Sequence, residues 1–410
     1  MSLRSVELFA GAGGLALGTA RAGFRHDLVV EWDRDACNTI QENQRLGLWP
    51  ASEWPLVEPL DVKNVDFSAV KEEPDLLSGG VPCQPWSQGG LHLGPKDERN
   101  LFPEVVKIIR RLRPKAVLIE NVKGLTRKTF AEYFEYIQHQ LRYPEVVRKS
   151  RESWISHLAR LRREYGSGSQ EGLCYTVSKP HLVNAANFGV PQRRERVFII
   201  AFRSDLGIPW SFPEATHSLD ALLWAQWVTG AYWDRHKVSK RVRPELAPRF
   251  RGRVSALKSD LFAPTESPWR TVRDAIADLS SPTTGRLVGG FKNHEHNPGA
   301  RSYPGHTGSP WDEPSKTLKA GVHGVPGGEN TVADEDGGVR YFTVREAARI
   351  QTFPDEYVFR ASWTESMRQI GNAVPVELAE VVARGIAAHL NKVQLGKTRT
   401  VQPARQTATG

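Results

Sequence analysis

Val6-Glu7-Leu8-Phe9-Ala10-Gly11-Ala12-Gly13-Gly14-Leu15-Ala16 is the stretch from which the architecture can be read. Its first four residues suit a short strand. The spacing Gly11-x-Gly13-x-x-Ala16 then opens a helix expected to run through Ala22. Leu28-Val29-Val30-Glu31 reads as the next strand, and its acidic end falls about 20 residues after the glycines. Strand, glycine turn, helix and acidic strand end together form the dinucleotide fingerprint. The glycines let backbone approach a ligand, and the carboxylate accepts ribose hydroxyls. Nicotinamide and flavin enzymes share this pattern, so NAD and FAD stand open here beside other adenosine cofactors. Trp32 suits either an adenine face or an ordinary core position. Asp61, after an expected strand Leu56–Leu60, suits the adenine amino group.

The alternation continues downstream. Asp75-Leu76-Leu77-Ser78 reads as a strand before the break Gly79-Gly80-Val81. Val105, Ile108, Ile109 and Leu112 fall at i, i+3, i+4, i+7 and mark an amphipathic helix. Ala116-Val117-Leu118-Ile119 is a strand ending in Glu120-Asn121-Val122, and Arg196 to Phe202 is a late, apolar strand. The fold class is therefore α/β: a Rossmann-like, mostly parallel, doubly wound sheet with helices on both faces. The pattern stops near residue 206. From there to about residue 339 the chain is rich in Pro, Gly, Trp, His and Ser, which reads as a smaller, irregular domain. Helical signals return at Val344 to Ile350, and a last helix carries Leu378, Val381, Val382, Ile386 and Leu390 on one side. The expected organisation is a discontinuous domain of residues 1–206 and 339–395, a second domain of 207–338, and a disordered tail of 396–410.

Composition narrows the class. With 410 residues, 40% apolar and 25% charged, the chain has an ample core and ordinary globular chemistry. No apolar run reaches the roughly 18 residues of a membrane span, so no membrane partner is expected. Met1-Ser2-Leu3-Arg4 runs straight into a strand, so no signal peptide is expected and the cytoplasm is the expected location. Cys37, Cys83 and Cys174 lack paired or metal-ligand spacing, which argues against disulfides and zinc. His294-Glu295-His296 offers two ligands at i, i+2 with no third, so no metal is expected. The net charge of +9 favours a polyanionic partner. The basic insert of residues 142–166 is read as a solvated helical face.

Pro82-Cys83-Gln84 carries the chemistry. It follows one strand, while Glu120 ends another. A thiol and a carboxyl at the carboxyl ends of two strands can face one crevice, which suits a nucleophile and a proton donor acting on one flat, electron-poor ring.

These residues resemble the DNA cytosine-5 methyltransferase family. Glu7-Leu8-Phe9-Ala10-Gly11-Ala12-Gly13-Gly14 looks like its methyl-donor loop, Pro82-Cys83-Gln84 its nucleophile motif and Glu120-Asn121-Val122 its acid motif. Gln192-Arg193-Arg194-Glu195-Arg196 looks like its paired-arginine motif, and Gly371-Asn372-Ala373-Val374-Pro375 the late motif completing the donor pocket. Arg340 to Arg349 resembles the segment that props the recognition domain. The likeness covers most of residues 4–206 and 339–391, with the motifs in family order. One departure is Asn100 in Arg99-Asn100-Leu101-Phe102, where the family usually has glycine.

The resemblance replaces NAD with S-adenosyl-L-methionine, released as S-adenosyl-L-homocysteine. It implies donor contacts from Phe9, Gly11, Gly13, Gly14, Leu15, Glu31, Trp32, Asp61, Pro82, Leu101, Asn372 and Ala373. It makes Cys83 the nucleophile at cytosine C6, Glu120 the donor to N3, Arg196 the holder of O2, and Arg194 the residue that orients Glu120 or the thiol loop. The implied partner is double-stranded DNA, whose target base must rotate out of the helix. Ser87, Gln88, Gly89 and Gly90 form a loop expected to close over it. Arg241, Arg243, Arg249, Arg251 and Arg253 belong to a basic run suited to phosphates, and Lys316 and Lys319 to a glycine-rich stretch suited to a groove. A monomeric, stand-alone modification enzyme paired with a restriction endonuclease is the expected context. The rival readings are an RNA cytosine-5 methyltransferase on the same fold, a catalytically silent DNA-binding regulator, and a nicotinamide oxidoreductase.

Overall fold

The computed structural model describes residues 2–82, 101–168, 171–282, 291–302, 307–320, 330–333 and 338–400, with side chains as far as 393. The expected nucleophile Cys83 and the loop residues Ser87, Gln88 and Gly89 lie outside the described residues.

One sheet organises the molecule. Its strands are β1 (Leu3–Leu8), β2 (Phe24–Val30), β3 (Leu76–Gly80), β4 (Ala116–Val122), β5 (Tyr175–Val177), β6 (His181–Asn184) and β7 (Glu195–Arg203). Their order is β2-β1-β3-β4-β7-β5, with β6 also on β7. β1 pairs in parallel with β2 and β3, and β3 pairs in parallel with β4. β7 is reversed against β4, β5 and β6. The sheet is thus mostly parallel, with one strand turned round near its far edge. β5 and β6 share one side of β7 as a single edge strand interrupted at Ser178-Lys179-Pro180, where proline lacks the N–H a ladder needs.

Strand alternation sends successive side chains to opposite faces. Val117 and Ile119 join one cluster with the helices α3 (Phe102–Leu112), α4 (Ala131–Arg142) and α5 (Trp154–Ser167). Ala116 and Leu118 join another, formed with Leu15, Leu378, Val382 and Ile386 of helices Gly14–Arg21 and Val376–Thr400. Glu120 continues the second series, so its side chain leaves the sheet on that face. The two helices of this layer pack very closely, since a Cβ at Gly18 would lie 2.4 Å from the Cβ of Ala379.

Three expectations change. Leu56–Leu60 is not a strand: it meets the sheet through one bridge, Glu31 to Pro59, and one bond from Leu60 N to Glu31 O at 2.8 Å. Pro55 and Pro59 deny that segment a regular ladder. The break placed at Gly79 lies within β3, because a side chain there would strike Leu8 O at 2.7 Å. The last helix runs to Thr400, past the expected tail start at 396, since adding residues to an anchored helix is easy.

Beyond residue 206 the chain splits in two. Leu222, Tyr232, Trp233 and Val238 form one small cluster, and Leu223, Val254 and Leu257 another. Val272, Ile276, Leu318 and Val332 instead pack with Ala10, Leu17, Phe342, Ile350 and Tyr357. That shared core runs across the boundary at 338 expected from composition. His294 is a buried staple: its Nδ1 meets Thr343 Oγ1 at 2.9 Å and its Nε2 meets Ser280 O at 2.7 Å.

Candidate active site

The carboxyl ends of β1 to β4 lie along one edge of the sheet, where ligands of such folds bind. β1 leads into Phe9 and Gly11, both left-handed at φ 56° and 54°. Among the described residues nothing lies within 4 Å of where a Cβ at Gly11 would stand, so a ligand can approach that backbone. Gly13 (φ 85°) and Gly14 are pressed from behind. Their Cβ atoms would meet Tyr357 Oη at 3.2 Å and Val374 O at 2.4 Å. Tyr357 also donates its hydroxyl to Ala12 O at 2.8 Å, fixing the loop from 345 positions away in the chain. Leu15 gives its side chain to the core.

Glu31 holds this loop to the end of β2. Its carboxylate accepts from Gly11 N at 2.6 Å, Trp32 N at 2.9 Å and Asp33 N at 2.8 Å. Burial pushes its pKa up, and those three N–H groups oppose the shift. One oxygen takes a single donor, leaving it capacity for a ribose hydroxyl. Trp32 is 75% exposed, which settles the choice between core and surface: its indole offers a free face beside Glu31. Asp61 arrives here through the Leu60–Glu31 bond and caps a turn at Lys63 N, 2.9 Å away. At the far side, Asn372 is exposed at the end of helix Trp363–Asn372 and Ala373 follows it. Open backbone, an exposed indole and an acidic strand end fit an adenosine-type donor.

The reacting edge lies on β3, β4 and β7. Gly80 is the register partner of Glu120, and a Cβ at Gly80 would stand 3.4 Å from Glu120 Oε2. Among the described residues no side chain therefore separates the end of β3 from that carboxyl. Asn121 points to the other face and donates Nδ2 to Val81 O at 3.0 Å, securing the backbone just before Pro82. Leu101 packs on the core at the start of α3. Because β7 is reversed, its first residues lie beside the last residues of β4, and Arg196 faces Val122. Arg196 Nε comes within 2.8 Å of Glu120 Oε1, an ion pair not aligned as a hydrogen bond. Burial pushes the Glu120 pKa up, while Arg196 and then Arg194 pull it down. Two guanidinium groups against one carboxyl leave this buried edge electropositive.

Of the two tasks expected of Arg194, orienting the thiol loop falls on residues outside the described ones. The hydrogen bonds of Arg194 run to Leu318 O, Gly371 O and Ala373 O at 3.0, 2.6 and 3.0 Å, and it makes none to Glu120. It lies fully within the protein, where burial and then Arg196 pull its pKa well below the usual arginine range. Asn121, Tyr357, Gln192 and Gln351 were missed as supporting residues. Asn121 and Gln192 sit inside quoted motifs, but nothing local marks Tyr357 or Gln351.

The basic run is partly neutralised. Arg249 pairs with Glu313, Arg253 with Asp220, and Arg243 reaches Asp234 at 3.5 Å. Arg241 and Arg251 are exposed and have no ion pair among the described residues. Lys316 is half-buried and Lys319 exposed.

A sequence model of the C-5 cytosine-specific DNA methylase family matches residues 3–143 and 168–388. The chain belongs to the C-5 cytosine-specific DNA methylases. It is 32% identical over 395 residues to the Type II methyltransferase M.Eco47II of Escherichia coli, covering 95% of this chain and 79% of the relative. It is also 32% identical over 388 residues to the Type II methyltransferase M.PspPI of Psychrobacter sp. (strain TA137), covering 94% and 79%. The S. pombe Dnmt2 methyltransferase shares the fold, with a TM-score of 0.53, 17% identity, and 95% and 99% of the two chains covered. As a C-5 cytosine-specific DNA methylase the chain is a DNA (cytosine-5-)-methyltransferase of an S-adenosylmethionine-dependent family. Among the described residues no helix is long and apolar enough to cross a membrane.

Proposed function

We propose that this enzyme methylates C5 of a flipped-out cytosine in a short duplex target, through a covalent bond between Cys83 and C6. The observation that carries the reading is the Glu120–Arg196 pair at the end of β4, open to the end of β3. Asn121 secures Val81, two residues before Cys83 in the sequence, at this same edge.

C5 of cytosine is too weak a nucleophile to take a methyl group unaided. The Cys83 thiolate adds to C6, and the displaced C5–C6 electron pair makes C5 enamine-like. Negative charge then builds on the ring toward N3 and O2. Glu120, whose pKa burial pushes up, donates to N3 as that charge develops. Arg196 turns its fork to O2. The excess positive charge of Arg194 and Arg196 favours both the thiolate and the charged adduct. When bound, S-adenosyl-L-methionine supplies an electrophilic methyl group and leaves as S-adenosyl-L-homocysteine. Gly11, Glu31, Trp32, Asp61 and Asn372 are the residues that would hold it. The C5 proton then passes to water and the C5 electron pair expels the sulfur of Cys83, restoring the ring.

Residues 207–338 supply the target-reading side, with Arg241 and Arg251, which have no ion pair among the described residues, as phosphate ligands. The names of the relatives support a modification role opposite a restriction endonuclease. The test is a duplex carrying 5-fluorocytosine, made from unmethylated DNA, with the donor present. Fluorine cannot leave as a proton, so the adduct is expected to accumulate at the mass of protein plus methylated DNA, and Cys83→Ala should form none. Methylation by Cys83→Ala, or incorporation into tRNA and not DNA, would overturn the proposal.

A further inference from the structure

The group that joins the two halves of the site is a buried polar junction at Gln192, Arg194 and Gln351. Gln192 accepts from Leu318 N at 3.0 Å and donates to Gln351 Oε1 at 3.0 Å. Gln351 donates in turn to Ile370 O at 2.6 Å and Ala373 O at 3.1 Å. Arg194 forks between Leu318 O on one side and Gly371 O and Ala373 O on the other. The backbones also touch: a Cβ at Gly371 would lie 2.5 Å from both Lys319 C and Ala320 N. On the outer side, Arg193 N donates to Ser315 O at 2.8 Å and Thr317 Oγ1 to Arg193 O at 2.7 Å. The stretch 315–320 is therefore clamped to Gly371-Asn372-Ala373. Both are clamped to the strand that presents Arg196 two residues later.

We propose that this junction couples the two ligands: donor binding at Asn372 and Ala373 and DNA contact at Lys316 and Lys319 are linked through Arg194, Gln192 and Thr317, acting as positioning residues. The proposal rests on the reading of 316–320 as a DNA-facing stretch and of 372–373 as part of the donor site. The physical reason is the absence of slack. A buried carbonyl that loses its donor forfeits a hydrogen bond with no water to replace it. Leu318, Gly371 and Ala373 hence cannot shift separately without leaving such groups unpaired. A donor that settles the 371–373 loop settles 316–320 with it, and the effect must be reciprocal, because coupling between two binding equilibria is a single free energy.

The experiment measures the affinity of the whole protein for sheared, unmethylated plasmid DNA, with and without saturating S-adenosyl-L-homocysteine. Hydrogen exchange of the protein without DNA is followed in parallel. The homocysteine compound is expected to tighten DNA binding roughly 5- to 150-fold and to slow exchange in peptides spanning 316–320. Arg194→Lys keeps the charge but loses the fork, and should bring the ratio of the two affinities close to one. Thr317→Val removes one half-buried bond, is the gentler variant should Arg194→Lys not fold, and should lower the ratio several-fold. Thr317→Ser should retain it. A merely structural role would lower stability in Thr317→Val without changing the ratio, and that result overturns the proposal. An unmodified protein whose DNA affinity and exchange at 316–320 ignore the bound ligand also overturns it. The parent reading fails differently: no S-adenosyl-L-homocysteine binding removes the donor site and the junction's role together, whereas full DNA affinity in Lys319→Ala removes only the DNA-facing assignment.

Discussion

Glu7→Gln should reverse its effect on stability between acid and alkaline pH. Glu7 lies in β1 with its side chain wholly buried. Its Oε2 accepts a hydrogen bond from Ser78 Oγ across the β1–β3 ladder, while Oε1 has no partner among the described residues. Burial pushes its pKa from 4.5 up to about 8, with the Ser78 bond opposing. Between those values the folded protein holds a proton that the unfolded chain has released. Its stability must then fall as pH rises from 4.5 to about 8. A gap of about 3.5 units at 1.36 kcal/mol each makes the loss roughly 5 kcal/mol once both forms are ionised. Glutamine removes the titration but brings an amide N–H pair into a place with one free acceptor, at a cost of about 1–3 kcal/mol. Urea unfolding of both proteins at pH 5, 7 and 9, without ligands, isolates the term as a difference. Glu7→Gln should be slightly less stable at pH 5 and clearly more stable at pH 9. If the two midpoints shift in parallel over that range, Glu7 carries no trapped proton and the reasoning is wrong.

Trp32→Ala should leave the fold intact, because the indole is exposed, and weaken S-adenosyl-L-homocysteine binding by the roughly 1–3 kcal/mol of one stacking contact. Calorimetry showing unchanged affinity would remove Trp32 from the donor site. Gly18→Ala should cost roughly 1–3 kcal/mol by forcing helix Gly14–Arg21 off Val376–Thr400, seen as a lower Tm; an unchanged Tm would mean that the two helices slide freely. The pair Arg241→Ala and Arg251→Ala should reduce the slope of log affinity against log salt by roughly 2. Arg253→Ala, which frees Asp220, should move the slope less.

The strands that the sequence pattern marked are those whose apolar runs are complete in themselves. β1, β4 and β7 are buried on both faces, so their residues need no partner to be recognised. The glycine turn was legible for a similar reason: a left-handed backbone is a local demand. Leu56–Leu60 misled because Leu56, Val57 and Leu60 make it look like a short apolar run although its prolines forbid a ladder. Arg34–Arg45 carried an unused signal, Asp33 capping Ala36 N at 2.9 Å.

Local order therefore announced a parallel sheet with a thiol, an acid and an arginine pair, since strand periods, glycine turns and motif spacing act over a few residues at a time. The reversal of β7 had no such trace. Its residues read the same in either direction, and only pairing with β4 brings Arg196 to Glu120. The division of labour between Arg194 and Arg196 was equally invisible, since it depends on carbonyls 124 to 179 positions away. Neighbouring arginines of the same type parted roles because one side chain met backbone from two distant segments while the other met a buried carboxyl, and long-range packing alone settles which neighbour each one finds.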